Sequence, residues 1–194
     1  TILGWLGIAS KEKWLKVQSG SYFLTFLQPE NIALQRKFFD RYLKGMDNGW
    51  EREPKVEVAV RAVDDTVKRV VSDTQWPLSG TQWTRLYLDA SANALVAAAA
   101  DKAVSASYPA IGEGVNFSTA PLEREMEFAG PIKAKLFVSS STEDMDLFAT
   151  LRAFDPQGQE VTFLSVVEPK APVSQGWLRV SQRKLDAKRS TEYQ

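Results

Sequence analysis

The stretch Lys55-Val56-Glu57-Val58-Ala59-Val60-Arg61 marks a change from a helical to an extended hydrophobic pattern. Its three valines alternate with charged or small residues, so in an extended chain they share one face. One apolar face and one polar face are typical of a half-buried strand. The stretch therefore predicts that strands dominate the chain after Trp50.

The same alternation returns further along the chain, over residues 132–138 and 147–154. Asp155-Pro156-Gln157-Gly158 then places Pro second and Gly fourth in a tight turn, which predicts that residues 161–167 pair back as a hairpin. Short strands joined by Pro and Gly turns favour a mainly β fold, an antiparallel β-sandwich. The alanine-rich residues 90–102 would tolerate a helix and are read as a connection.

The first 45 residues have a different pattern. We expect a helix ending near Ala9, a short strand over residues 14–17 and, after a polar turn, a second helix. Pro29 suits the first turn of that helix, and Gly45 suits a left-handed C-terminal cap. This helix–strand–helix order is an α/β pattern.

The composition excludes several classes of chemistry. The 194 residues include no histidine and no cysteine, so the chain has no thiol nucleophile and no imidazole to carry protons near neutral pH. The 24 basic residues balance the 24 acidic ones, and we expect neither nucleic acid nor membrane as a partner. The chain starts with Thr rather than Met, which leads us to expect that the natural beginning lies upstream.

Three segments carry residues that could serve a site, and each has a simpler interpretation. Residues 139–146 are rich in hydroxyls and carboxylates but lack the central Gly of a calcium loop. Gly112-Glu113-Gly114 lacks the third glycine of a phosphate cradle and is read as a turn. Glu123, Glu125 and Glu127 alternate along one predicted strand and are read as its solvated face rather than as glycosidase acids. We therefore predict no metal and no cofactor.

Four aromatic side chains are further candidates for a binding site. Trp76, Trp83, Tyr87 and Trp177 could stack on a ligand, although core and interdomain packing is the usual role of such residues. No Gly-x-Ser-x-Gly elbow occurs, so the chain lacks that serine nucleophile. These residues alone indicate a β-rich domain without an evident active site.

Several strings occur in order over nearly the whole chain: Phe38-Phe39-Asp40-Arg41-Tyr42-Leu43-Lys44-Gly45, Pro54-Lys55-Val56, Trp76-Pro77-Leu78, Phe117-Ser118-Thr119-Ala120-Pro121-Leu122, Gly130-Pro131-Ile132, Leu136-Phe137-Val138-Ser139-Ser140-Ser141, Asp146 and Asp155-Pro156-Gln157-Gly158. Together they resemble the C-terminal part of the CocE/NonD hydrolase family of esterases and Xaa-Pro dipeptidyl-peptidases. The resemblance implies a jelly-roll-like antiparallel β-sandwich over residues 51–194, ending short of the family's last strands, after an α/β-hydrolase remnant over residues 1–50. Unpaired strand edges and exposed apolar surface are then expected.

The resemblance also implies a Ser-Asp-His triad that cleaves esters or amides through an acyl-enzyme. Its Ser and Asp would lie upstream of this chain, while its His would follow the strand at residues 14–17. Tyr22 is the preferred equivalent of that His, and Gln18 is the second choice. A phenol is a poor base at neutral pH and an amide is none, so we predict that the chain is inactive alone.

The resemblance implies as partners the missing catalytic domain of the same polypeptide and, for the parent, a small ester or peptide substrate. A homo-oligomer is a further option. An alternative from another class is a non-enzymatic β-sandwich module that binds carbohydrate or a protein through tryptophans such as Trp83 and Trp177. A third option is a family member that hydrolyses nothing.

Overall fold

A computed structural model describes residues 2–188 and 190 of the chain. The chain divides into two compact units, one formed by Thr1–Ser79 with Ala129–Gln194 and the other by Gly80–Phe128. Among the described residues, no helix is long and apolar enough to cross a membrane. Short strands outnumber helices, so the fold is β-rich, as the sequence predicts.

Three α-helices lie in the first 45 residues: α1 (Ile2–Gly7), α2 (Tyr22–Phe26) and α3 (Pro29–Lys44). Pro29 begins α3, and Gly45 ends it in a left-handed conformation with φ of 69°, which confirms both predicted boundaries. Helix α2 was not predicted. It forms because the N–H groups of Leu24 and Thr25 both bond to the Ser21 carbonyl, where the sequence indicated only a turn.

The main sheet has three strands in the order β1 (Leu15–Val17), β2 (Val56–Arg61) and β3 (Val67–Asp73). β1 runs parallel to β2, with Leu15 opposite Val56, and β3 is antiparallel to β2. Burial alternates strictly along β2, which confirms the half-buried strand predicted from its alternating valines. The resulting core contains Leu15, Val56 and Val58, which Ile2, Trp5, Val17, Trp76 and Leu78 cover.

An aromatic cluster packs between β1 and α3. Trp14 lies 5.1 Å from Trp50, 6.1 Å from Phe38 and 6.1 Å from Tyr42, measured between ring centroids. Trp50 is buried, and it lies in a single 3₁₀ turn over Trp50–Arg52. These edge-on ring contacts hold α3 against the start of the sheet.

The unit Gly80–Phe128 contains one antiparallel pair, β4 (Tyr87–Asp89) and β5 (Ala94–Val96). The N–H of Leu95 donates to the Ser118 carbonyl at 2.8 Å, which brings a distant segment to the edge of this pair. The alanine-rich connection therefore contains a short strand and no helix.

The remaining strands are β6 (Asp146–Leu151), β7 (Ala153–Phe154), β8 (Glu160–Val161) and β9 (Ser174–Arg179). β6 pairs with β9 and β7 pairs with β8, both antiparallel. The predicted turn is confirmed, because the Gly158 N–H donates to the Asp155 carbonyl at 3.0 Å and Gly158 has a φ of 78°.

Three strand predictions are wrong in extent or existence. Residues 132–138 and 122–128 have alternating sequences but form no strand, so Glu123, Glu125 and Glu127 do not share a strand face. The predicted strand at 161–167 is reduced to β8 and an isolated bridge between Phe163 and Ala171. A strand exists only where a partner backbone completes its hydrogen bonds, and alternation alone does not supply one.

Candidate functional site at the end of the first strand

Gln18, the second choice for the family histidine, directly follows β1 and has a structural contact. Its Nε2 donates to Oδ1 of Asn31 at 2.8 Å. Asn31 lies in the first turn of α3, is 6% exposed, and donates its own Nδ2 to the Thr25 carbonyl at 2.6 Å. The amide of Gln18 therefore helps to satisfy a buried polar group.

Tyr22, the preferred equivalent, begins α2 and projects from the surface. Its side chain is 59% exposed, and its ring lies 4.1 Å from that of Phe23. Tyr22 and Gln18 are thus in different surroundings although they are only four positions apart in the sequence.

A shallow pocket of about 270 Å³ lies beside the end of β1. Lys16 and Glu57 form an ion pair of 3.3 Å in its wall. The remaining wall residues are small, polar or aliphatic, and they include no residue that titrates near neutral pH. The lining comprises Lys16, Val17, Gln18, Ser19, Thr25, Gln28, Glu57, Ala59, Val67 and Val70.

Asp65, which bonds to Ser19 in the wall of this pocket, was not predicted from the sequence. Its Oδ1 accepts a hydrogen bond from the Ser19 hydroxyl at 3.4 Å and from Arg61 at 3.2 Å, and its Oδ2 accepts one from the Leu164 N–H at 2.8 Å. Asp65 also has a φ of 65°, which suits a short polar side chain in a tight turn. A carboxylate beside a serine hydroxyl orients the hydroxyl but cannot relay a proton through an imidazole, which this chain lacks.

The hydroxyl-rich segment 139–146 lines a larger pocket of about 480 Å³. Its polar groups bond mainly within the fold. The Ser140 and Thr142 hydroxyls lie 2.7 Å apart, and Asp144 accepts from the Ser181 hydroxyl at 2.6 Å. The bond from Ser181 lowers the pKa of Asp144, and the bond from Arg179 lowers the pKa of Asp146.

The other sequence candidates do not meet at a common site. Gly112-Glu113-Gly114 lies in an irregular segment, and no three His, Cys, Asp or Glu side chains within residues 2–188 and 190 are arranged to hold a metal ion. Trp76 packs against the core of the main sheet, as expected. Trp177 does not belong to a core, because its side chain is 75% exposed.

Comparison with known proteins identifies the relatives of this chain. Residues 48–192 match the family described as X-Pro dipeptidyl-peptidase C-terminal non-catalytic domain. The chain is similar to a cocaine esterase of Rhodococcus sp. (strain MB1 Bresler), with 27% identity over 175 residues that cover 71% of this chain and 30% of the esterase.

Two crystal structures of a CocE/NonD family hydrolase from Staphylococcus aureus have the same fold, with TM-scores of 0.81 and 0.82 and 30% identity. They match 98% and 100% of this chain but only 35% of the hydrolase. The chain thus spans about a third of the length of the relatives that it matches.

Proposed function

We propose that this chain, which belongs to the family of the X-Pro dipeptidyl-peptidase C-terminal non-catalytic domain, supplies the C-terminal part of a CocE/NonD-type hydrolase of ester or amide bonds. Residues 1–50 would complete the α/β-hydrolase domain. Residues 51–194 would form a jelly-roll-like sandwich that packs on that domain and helps to wall the acyl pocket. The chain would be inactive alone.

The exposed apolar segment at residues 22–27 carries this proposal. Five of its six side chains are large and apolar, and each is between 58% and 69% exposed. A contiguous apolar patch of this kind marks a surface that another polypeptide covers. The missing two-thirds of the relatives' length is the natural source of that cover.

The surroundings of the two candidate histidine positions support the inactive reading of the isolated chain. Gln18 is engaged with Asn31 in a structural contact. The Tyr22 side chain is 59% exposed, and neither its phenol nor the Gln18 amide supplies a base at neutral pH. Proton transfer during hydrolysis would therefore need groups that this chain does not contain.

Hydrolysis of p-nitrophenyl esters tests the proposal. We expect turnover by the isolated chain to equal that of its heat-treated control. We also expect the coding DNA upstream to contain, in frame, a Gly-x-Ser-x-Gly elbow. Turnover above the control would overturn the inactive role, and the absence of any upstream catalytic region would overturn the proposed parent.

A further inference from the structure

The β6–β9 pair has two faces of different character. In an antiparallel pair, directly opposed residues point to the same side. One face therefore carries the opposed pairs Leu147 with Leu178, Ala149 with Gly176 and Leu151 with Ser174. The other, here termed the aromatic face, carries Asp146 with Arg179, Phe148 with Trp177 and Thr150 with Gln175.

The aromatic face carries the most exposed side chains of the pair, although Leu178 on the opposite face is also 45% exposed. Phe148 is 79% exposed and Trp177 is 75% exposed, whereas Leu147 and Leu151 on the opposite face are half-buried. Both aromatic residues lie in regular strand, so backbone hydrogen bonds fix their direction. Two opposed large aromatic side chains in water leave a substantial apolar area uncovered.

An ion pair bounds the aromatic residues at one end. Arg179 donates from Nε to Oδ1 of Asp146 and from Nη2 to Oδ2, each at 2.8 Å. Thr150 and Gln175 provide neutral polar groups at the other end. An apolar centre with Trp, surrounded by Arg and polar groups, is the composition of an interface hot spot.

We propose that the aromatic face is a second docking surface for the polypeptide that precedes this chain, separate from the segment at residues 22–27. This inference rests on the proposed function. The S. aureus structures match nearly the whole chain yet leave about two-thirds of the hydrolase unmatched, so a large covalently attached partner is expected.

The charges of the face also favour a polypeptide surface. Arg179 uses two donors on Asp146, so the pair presents no net charge to attract a nucleic acid or another polyanion. Because two N–H groups of Arg179 donate to Asp146, fewer hydrogen-bond donors remain beside Trp177 for the hydroxyls of a sugar. A mixed protein surface needs only apolar cover for Phe148 and Trp177 and a polar rim.

Hydroxyl-radical footprinting of the isolated chain, of the full polypeptide from the same reading frame and of that polypeptide ending at residue 194 tests the proposal. We expect Phe148 and Trp177 to react about fivefold or more slowly in the full polypeptide, since docking takes exposed side chains out of water. Val167 and Leu185, which are 91% and 70% exposed, serve as controls and should keep their rates. Protection of Phe148 and Trp177 that is lost when the polypeptide ends at residue 194 would assign the face to strands that follow this chain and overturn the proposal.

The experiment separates this inference from the proposed function. Slower labelling of residues 22–27 with unchanged labelling of Phe148 and Trp177 would overturn the second surface alone. Unchanged labelling at both places would overturn the packing role as well. Equal slowing at Val167 and Leu185 would indicate general compaction and also count against the aromatic face.

Two further measurements test whether a second copy of the chain or a carbohydrate covers the aromatic face instead. Slower labelling of Trp177 when the isolated chain is concentrated would assign the face to a second copy. Glycan-array binding that is lost in Trp177→Ala would assign it to carbohydrate. Either result overturns the proposal, whereas Trp177 labelling that does not change with concentration and a flat array support it.

Discussion

The carboxylate of Asp73 organises the segment that follows β3. Its Oδ2 accepts hydrogen bonds from the N–H of Ser79 at 2.7 Å and from the Ser79 hydroxyl at 2.8 Å. Its Oδ1 accepts from the N–H groups of Thr74 and Gln75 at 2.6 and 3.3 Å. The backbone bond from Ser79 is the main cause that lowers the pKa of Asp73 to about 2.

Asp73→Asn should reduce the pH dependence of stability in acid. The pKa of Asp73 is depressed in the folded chain, so its stabilisation is present above the unfolded pKa of about 4 and is lost as pH falls towards about 2. We expect urea midpoints of the native chain to fall more steeply over this range than those of the variant. Ser79→Ala, which removes one donor, should lie between them, and parallel curves would contradict the assignment.

Tyr22→His should restore hydrolysis in the full polypeptide if Tyr22 occupies the family's histidine position. An imidazole titrates near neutral pH and can serve as the base that the phenol cannot. Turnover of p-nitrophenyl acetate provides the measurement. Gln18→His is the matched control and should stay inactive, because position 18 is engaged with Asn31. Recovery with Gln18→His alone would transfer the assignment to that position.

At the scale of elements, the C-terminus of α3 depends on Gly45. This residue has a φ of 69°, and a Cβ there would meet nothing within 4 Å, so the cost of a side chain is conformational rather than steric. We expect Gly45→Ala to lower the free energy of unfolding by about 1 kcal/mol in urea denaturation.

Two matched variants control the Gly45 experiment. Gly45→Asn should lose less stability, because Asn adopts the left-handed conformation more readily than Ala. Gly4→Ala lies inside α1 with nothing within 4 Å of its Cβ, and it should cause no loss. Equal losses for Ala and Asn at position 45 would contradict the conformational explanation.

The sequence predicted correctly the elements whose hydrogen bonds are made by residues close together in the chain. Pro29 and Gly45 define both ends of α3, and the turn at Asp155 is closed by its own residues. The strand predicted over residues 132–138 was wrong, because a strand needs a second strand from elsewhere in the chain and an alternating sequence does not show whether one is present. The sequence also did not show that Trp177 lies outside the core of this chain, because the burial of a side chain depends on the surface that covers it.

The candidate site was predicted only as positions along the chain. The resemblance placed the expected histidine after β1, but nothing in the sequence revealed that Gln18 would bond to Asn31. Asp65 was not predicted as a site residue because its hydrogen-bond partners Ser19 and Leu164 are distant in sequence. Long-range contacts of this kind require the fold.

At the scale of the whole molecule, the isolated chain should self-associate. Residues 22–27 expose five large apolar side chains, and reducing that area should lower the tendency to associate. We expect Phe23→Ser with Leu27→Ser to decrease the concentration-dependent mass measured by light scattering. Ile111→Ser with Val167→Ser, at sites 97% and 91% exposed, changes as many apolar residues and should have a smaller effect. Equal effects would show that no particular surface is responsible.

The parallel ladder between β1 and β2 joins residues on both sides of Trp50. A recombination event at Trp50 would separate Leu15 from Val56 and Val58 and leave the two valines without part of their cover. The sequence downstream of Trp50 would then form this sheet without β1 at its edge. Gene fusions that preserve folding should therefore carry β1 together with β2.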